Sequence, residues 1–289
     1  MMFFFHSIIA LFQFFAYVKP MNFEYSPEQI EIIDLVKKFT LNEIIPHASQ
    51  LDQEGKFPLE IMKKAWELGL LNTCIPADFG GTGFSTLDSV IITENLSYGC
   101  LGVNTSIMAN DLALLPIAIA GSPEQKAKFL TPFTENFKIA SFCLTEPENG
   151  SDAAGIKTHF KDDGDAWIIN GEKMWITNAG YADLMVVYGT IDPELKHKGI
   201  SALIVDAKTE GIVLGKKEDK MGHRASDTRS VKFQNVRVPK ENMIGNPGDG
   251  WQIAMKTLDH SRPLVASSAV GGMSRCLAAC LKYSKERKQ

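Results

Sequence analysis

The hydrophobic period of this 289-residue chain changes twice, and no other feature limits its fold as much. Through residue 139 apolar side chains recur at helical spacing, near Ala140 the spacing drops to two, and after Gly250 the helical period returns. Helices, then strands, then helices argue for segregated α and β regions, an α+β fold, and against alternating βαβ units. The spacing divides the chain into an apolar N-terminal segment (1–21), a helical domain (22–139), a β domain (140–246) and the beginning of a second helical region (247–289). No G-x-G-x-x-G follows a strand, which excludes a nicotinamide-binding Rossmann domain.

Local signals place the elements. Ser26-Pro27-Glu28-Gln29 offers an N-cap, a proline at the first helical position and a glutamine three residues on, and Ser122-Pro123-Glu124-Gln125 repeats that chemistry. The first helix is expected to stop at Pro46. A second fits Pro58 to Leu68, with Ile61, Ala65 and Leu68 on one stripe and Gly69 past its end. Gly80 to Ser85 reads as a turn before a helix capped by Ser85 and Asp88, and an apolar stretch runs from Leu101 to Ile119. In the β region, Asp165–Ile169 and Lys173–Thr177 flank Asn170-Gly171, the dipeptide of a type I′ hairpin. Further strands are expected over Leu184–Thr190, Gly199–Ala207 and Arg229–Val238, then a helix from Trp251 with a kink at Pro263.

A hydrophobic share of 45% supports a real core, and 30 Lys plus Arg against 34 Asp plus Glu leave no basic block to follow a phosphate backbone, so nucleic acid is excluded. The five cysteines form no CxxC pair and read as buried free thiols of a reducing compartment. Cys276 and Cys280 share a helical face, but no histidine stands at ligand spacing, and no metal is expected. Phe3 to Val18 is almost wholly apolar, yet short for a membrane span and without arginine or a small-residue cleavage site. Two readings stay open for it: a native start at Met21 behind an extraneous extension, or an uncleaved membrane anchor. The sequons at Asn95, Asn104 and Asn149 read as chance.

The densest chemical signal is Phe142 to Asp152, where the Thr145 and Ser151 hydroxyls lie on either side of a Pro-Glu-Asn-Gly turn. The next is Trp175-Ile176-Thr177, where the strand period puts an indole and a hydroxyl on one face. Such groups can cover a flat heteroaromatic cofactor and bond its edge, although a tryptophan on a strand is most often core.

FCLTEPENGSDAAGIKT, EKMWITNAG, MGHRASDTR, VPKENMIG and TLDHSRP, in this order and spacing, closely resemble the acyl-CoA dehydrogenase family, most of all its medium-chain members. The likeness starts near Phe23 and covers the rest. It implies a helical domain, a central β-sandwich or barrel-like domain and a C-terminal four-helix bundle holding FAD between them, in a homotetramer. By the same resemblance Phe142, Cys143, Leu144, Thr145 and Ser151 contact the flavin, Trp175, Ile176 and Thr177 cover its face and edge, and Arg287 reaches a flavin across a subunit interface. Ser151 also matches an acyl-CoA contact, Asp259, His260, Ser261 and Arg262 match the helix segment along the acyl-CoA site, and Asn104, Thr105 and Met108 match the deep acyl pocket. Where Met108 stands the medium-chain pattern has an acidic residue, so acyl length stays open.

The resemblance also implies the reaction: oxidation of an acyl-CoA thioester to the trans-2-enoyl-CoA, with an electron-transferring flavoprotein as redox partner. Removing an α-proton needs a carboxylate of raised pKa. The family keeps that base at one of two positions; one matches Ser261, which cannot serve, and the other falls beyond Gln289. No catalytic base is therefore expected within the chain, which stops before the Phe-Gly expected after Arg287, and the chain by itself is expected to be inactive. A binding fragment that pairs with longer subunits, and an acyl-CoA oxidase, are the competing readings. A mitochondrial matrix or a bacterial cytoplasm is the expected compartment.

Overall fold

The computed structural model describes residues 23–289, and the apolar segment read as an extension or an anchor lies outside the described residues. Helix α1, Pro27–Phe39, starts where the Ser26 hydroxyl accepts the Gln29 N–H at 3.2 Å and the Gln29 side chain accepts the Ser26 N–H at 3.1 Å. Each such cap stabilises by about 1 kcal/mol. Pro46 does not stop the chain. A π-helical turn, Thr40–Ile44, leads directly into α2, Ile45–Glu54. Pro46 then occupies the first turn of a new helix, where its missing N–H has no partner to lose. Gly55 at φ 59° ends α2.

Helix α3, Leu59–Glu67, buries Ile61, Met62 and Ala65, whereas Leu68, expected on the same stripe, follows the last turn and is 44% exposed. Ser85 and Asp88 form the reciprocal cap of α4, Thr86–Gly99, as read from the sequence. Helix α5, Leu101–Ala120, is apolar almost all round because helices and sheet cover it on several sides. Ser122 caps α6, Pro123–Phe129, and α7, Thr131–Glu135, completes the helical part.

Seven strands form one curled sheet: β1 Ala140–Cys143, β2 His159–Asp162, β3 Ala166–Thr177, β4 Leu184–Thr190, β5 Ile200–Asp206, β6 Ile212–Leu214 and β7 Thr228–Pro239. Strand β4 lies parallel to β1 and antiparallel to β5, and touches β2 at its end; β2, β3, β7 and β6 continue antiparallel. The hairpin expected at Asn170-Gly171 is not there. Strand β3 runs straight through, and the tight turn is Asp163-Gly164, with Gly164 at φ 77°. Asn170-Gly171 is instead a bulge against β7, where the Asn170 amide accepts the Asn235 N–H at 2.9 Å. Long pairing with β7 on both sides of the dipeptide outweighs its turn preference.

Helix α8, Gly250–Glu286, passes unbroken through Pro263. Its first half crosses α4 and α5 closely: a Cβ on Gly271 would stand 2.1 Å from the Glu94 carbonyl oxygen, and Ser97 donates to Ser268 at 2.9 Å. Beyond Gly271 the helix buries nothing. Met273, Leu277 and Leu281 stay exposed there, as Val265 and Val270 do before it. Cys143 is buried, but Cys276 and Cys280 are exposed, contrary to the reading of five buried thiols, because they lie on the outer half of α8, where no described residue is buried.

Candidate functional site

Two clefts open where α5, the sheet and α8 meet. The first, about 460 Å³, is lined by Phe142, Leu144, Thr145, Ser151, Trp175, Ile176, Thr177, Trp251 and Arg262, among others. The second, about 480 Å³, runs along α5 and is lined by Thr73, Ser89, Thr105, Met108, Asp111, Leu115, His260 and Ser261, among others. Ala109, Leu112 and Thr177 line both, so the clefts join at those residues.

Strand β3 builds the junction by breaking its own period. A bulge lies between Lys173 and Ile176, and Trp175 adopts φ 61°. A bulky side chain in the left-handed region costs on the order of 1–3 kcal/mol. The result is that Ile176 enters the sheet core at 2% exposure while the Trp175 indole stands 56% exposed on the cleft wall. Trp175 and Thr177 share the cleft as the sequence reading had it, but through a bulge rather than a regular alternation.

A buried ion pair holds the opposite wall. Glu146, 5% exposed, accepts the Lys157 N–H at 2.6 Å, the Thr158 N–H at 2.8 Å and the Lys173 ammonium at 2.8 Å. Lys173, fully buried, also donates to the Leu144 carbonyl at 3.0 Å. Reciprocal backbone bonds between Glu146 and Asn149 close the turn, and the Met174 N–H bonds the Thr145 carbonyl at 2.8 Å. Burial works to raise the Glu146 pKa, but the Lys173 charge and the backbone donors hold it below the usual carboxylate range. Strand β3 and the turn are thereby fixed to each other, with Thr145 and Ser151 at the cleft and Glu146 behind them. The sequence reading missed this pair; a lysine in mid-strand two residues before Trp175 was the available signal.

His223, in the MGHRASDTR stretch, sits at φ 53° with Nδ1 2.7 Å from the Thr105 hydroxyl. That hydroxyl donates to the Leu101 carbonyl at 2.8 Å, so His223 must be the donor and carries its proton on Nδ1. The bond ties α5 to the loop before β7 beside the second cleft.

Four of the residues singled out from the sequence line neither cleft. Cys143 points into the sheet core, where burial pushes its thiol up to about 12. Asn104 is 1% exposed and donates to Ser268 at 3.3 Å, joining α5 to α8. Asp259 is exposed and paired with Arg262, and Arg287 is exposed at the end of α8, bonded to the Tyr283 hydroxyl at 3.0 Å. Among the residues lining either cleft, Asp111 is the one carboxyl. No group of three His, Cys, Asp or Glu capable of holding a metal gathers among the described residues.

A cleft with an exposed indole and hydroxyls at its edge, joined to a longer cleft of mixed polar and apolar lining, has room for a flat ring beside an extended chain. Family models for the N-terminal, middle and C-terminal domains of acyl-CoA dehydrogenases match residues 26–136, 141–236 and 248–289. The chain is 44% identical over 273 residues to a probable medium-chain specific acyl-CoA dehydrogenase 2, mitochondrial, of Caenorhabditis briggsae, covering 93% of this chain and 67% of that one. Butyryl-CoA dehydrogenase from Megasphaera elsdenii superposes with a TM-score of 0.90 at 36% identity, covering 93% of this chain and 72% of that one. An acyl-CoA dehydrogenase from Bacillus anthracis, solved with FAD, superposes with a TM-score of 0.85 at 34% identity, over 92% of this chain and 46% of that one. The chain belongs to the acyl-CoA dehydrogenase family. It spans 67% of the length of the worm relative and 61% of that of the short-chain specific enzyme of Rattus norvegicus.

Proposed function

We propose that the first cleft holds the isoalloxazine of FAD and the second an acyl-CoA thioester, in an enzyme of fatty-acid β-oxidation that makes trans-2-enoyl-CoA. The observation that carries this reading is the junction: Thr177 and the exposed Trp175 on one bulged strand, with Thr177 common to both clefts. FAD, when bound, supplies the acceptor for the hydride leaving the β-carbon. The Trp175 indole covers one ring face, and the Thr145, Ser151 and Thr177 hydroxyls are the hydrogen-bonding groups for its edge. Thr105, Met108 and the α8 residues His260 and Ser261 flank the thioester. Leu112 and Leu115 keep water from the acyl chain.

Proton abstraction from the α-carbon requires a carboxylate base, and we assign that role to no residue of this chain. Ser261 has only a hydroxyl, which donates to the Leu258 carbonyl at 3.1 Å, and Asp259 faces solvent. In our reading the base comes from sequence beyond Gln289 and Arg287 serves a flavin of a neighbouring subunit. The full-length enzyme is then a homotetramer of the mitochondrial matrix that passes electrons to an electron-transferring flavoprotein.

The test is the visible spectrum of the purified chain after FAD addition and desalting, followed by anaerobic octanoyl-CoA. Retained yellow flavin that does not bleach is the expected result. Loss of all flavin on desalting overturns the cofactor assignment. Bleaching overturns the assignment of the base, and Asp111 is then the first carboxyl to replace.

A further inference from the structure

The outer half of α8 carries three sulfur-bearing side chains on one face. Met273 is 62% exposed, and Cys276 and Cys280 are exposed as well. Spacings of three and four residues keep all three on one side of the helix. Cys276 and Cys280 stand about 6 Å apart along the axis, with Cβ atoms about 5–6 Å apart. A disulfide needs Cβ atoms about 3.5–4.5 Å apart, so within one straight helix this pair does not close on itself. Two thiolate–metal bonds of about 2.3 Å placed in line span about 4.6 Å, a gap that two sulfurs leaning toward each other can bridge.

The rest of the face decides which ion fits. From Pro263 to Lys285 α8 contains no histidine, aspartate or glutamate. Magnesium and calcium need several oxygen ligands, which a helix face of sulfur and alkyl groups does not supply. A structural zinc site takes four ligands, commonly with histidine among them, and the stripe offers three sulfurs. Thiolate and thioether together select cuprous copper, for which histidine is not required. The other thiols are placed differently: Cys143 lies in the sheet core, Cys74 Sγ donates to the Asp111 carbonyl at 3.4 Å, and Cys100 stands at the start of α5.

We propose that Met273, Cys276 and Cys280 form a binding site for a soft monovalent ion, cuprous copper, with the two thiolates as the main ligands and the thioether as the third. Each thiol releases its proton to solvent as the ion binds, and nothing is oxidised or reduced. The site is independent of the reading of either cleft.

The experiment is anaerobic titration of the reduced 289-residue chain, kept dilute, with Cu(I) supplied as the coloured complex of a competing chelator. One ion per chain should leave the chelator, and an equal concentration of Zn(II) should not displace it. Cys276→Ser and Cys280→Ser should each weaken uptake at least about 100-fold, and Met273→Leu about 10-fold, because each removes one soft ligand. Cys100→Ser, away from the stripe, should leave uptake unchanged. No uptake, an ion shared by two chains, two ions held independently by one chain, displacement by Zn(II), or uptake that survives in both stripe serine variants overturns the proposal. The preference for Cu(I) over Zn(II) is read in the unmodified chain and decides the matter even if a variant does not fold.

Discussion

Lys173 and Glu146 show how one pair of side chains can position a site it does not line. Lys173→Met strands Glu146 in the interior with backbone donors but no cation, which costs about 3–5 kcal/mol for a buried pair broken on one side. Glu146→Gln together with Lys173→Met should recover part of that loss. Chemical denaturation of the three variants checks the order, and flavin retention should fall with Lys173→Met because Thr145 loses its brace. Asp111 gives a pH signature of the opposite kind. Its pKa is raised to about 6 by burial, against about 3.9 in an unfolded chain. Between those values the folded state holds the proton and the unfolded state does not, so stability is lost as pH rises from about 4 through about 6. Two units correspond to roughly 3 kcal/mol. Asp111→Asn should therefore gain on the parent by about that much between pH 4 and pH 7, measured as the difference in unfolding free energy. A difference that stays flat with pH would mean that Asp111 titrates normally.

At the scale of elements, the chain was legible wherever a local interaction decides the outcome. The capping boxes at Ser26, Ser85 and Ser122 need only residues three apart, and each forms. Strand β4 occupies the span its β-branched run marks. Asn170-Gly171 and Pro46 misled for one physical reason: each is a local preference overruled by something distant or unusual, strand pairing with β7 in one case and a π-helical turn in the other. The strand-through-bulge geometry can be tested at Gly171. A Cβ there would meet Thr158 Oγ1 at 2.4 Å and its Cα at 2.7 Å, contacts that an exposed hairpin turn would not have. Gly171→Ala should cost about 1–3 kcal/mol, as overpacking a core does. Gly164→Ala, at the true turn with nothing within 4 Å, should cost only the strain of its positive φ. Thermal unfolding of the two variants separates them. The clefts were the least legible feature. Thr73, Asp111 and Ser89 come together only because the loop before α4, α4 itself and α5 pack side by side, and no spacing in the sequence announces it.

For the whole molecule, the decisive feature is the imbalance of α8. It is 37 residues long, about 55 Å at 1.5 Å per residue, yet its buried residues end at Gly271. Over the remaining turns Met273, Leu277 and Leu281 fall on one stripe at helical spacing, with exposures of 62%, 61% and 54%. A contiguous apolar stripe on a soluble surface drives association. The 289-residue chain should therefore self-associate in a concentration-dependent way, and replacing Met273, Leu277 and Leu281 by Lys, Glu and Lys should shift it toward monomer in light scattering. Those side chains are more than half exposed, so the thermal midpoint of the dilute chain should stay close to the parent's, and flavin retention with it. A drop in both would mean that the outer half of α8 supports the cleft at its other end, through the rigidity of one continuous helix from Trp251 to Glu286.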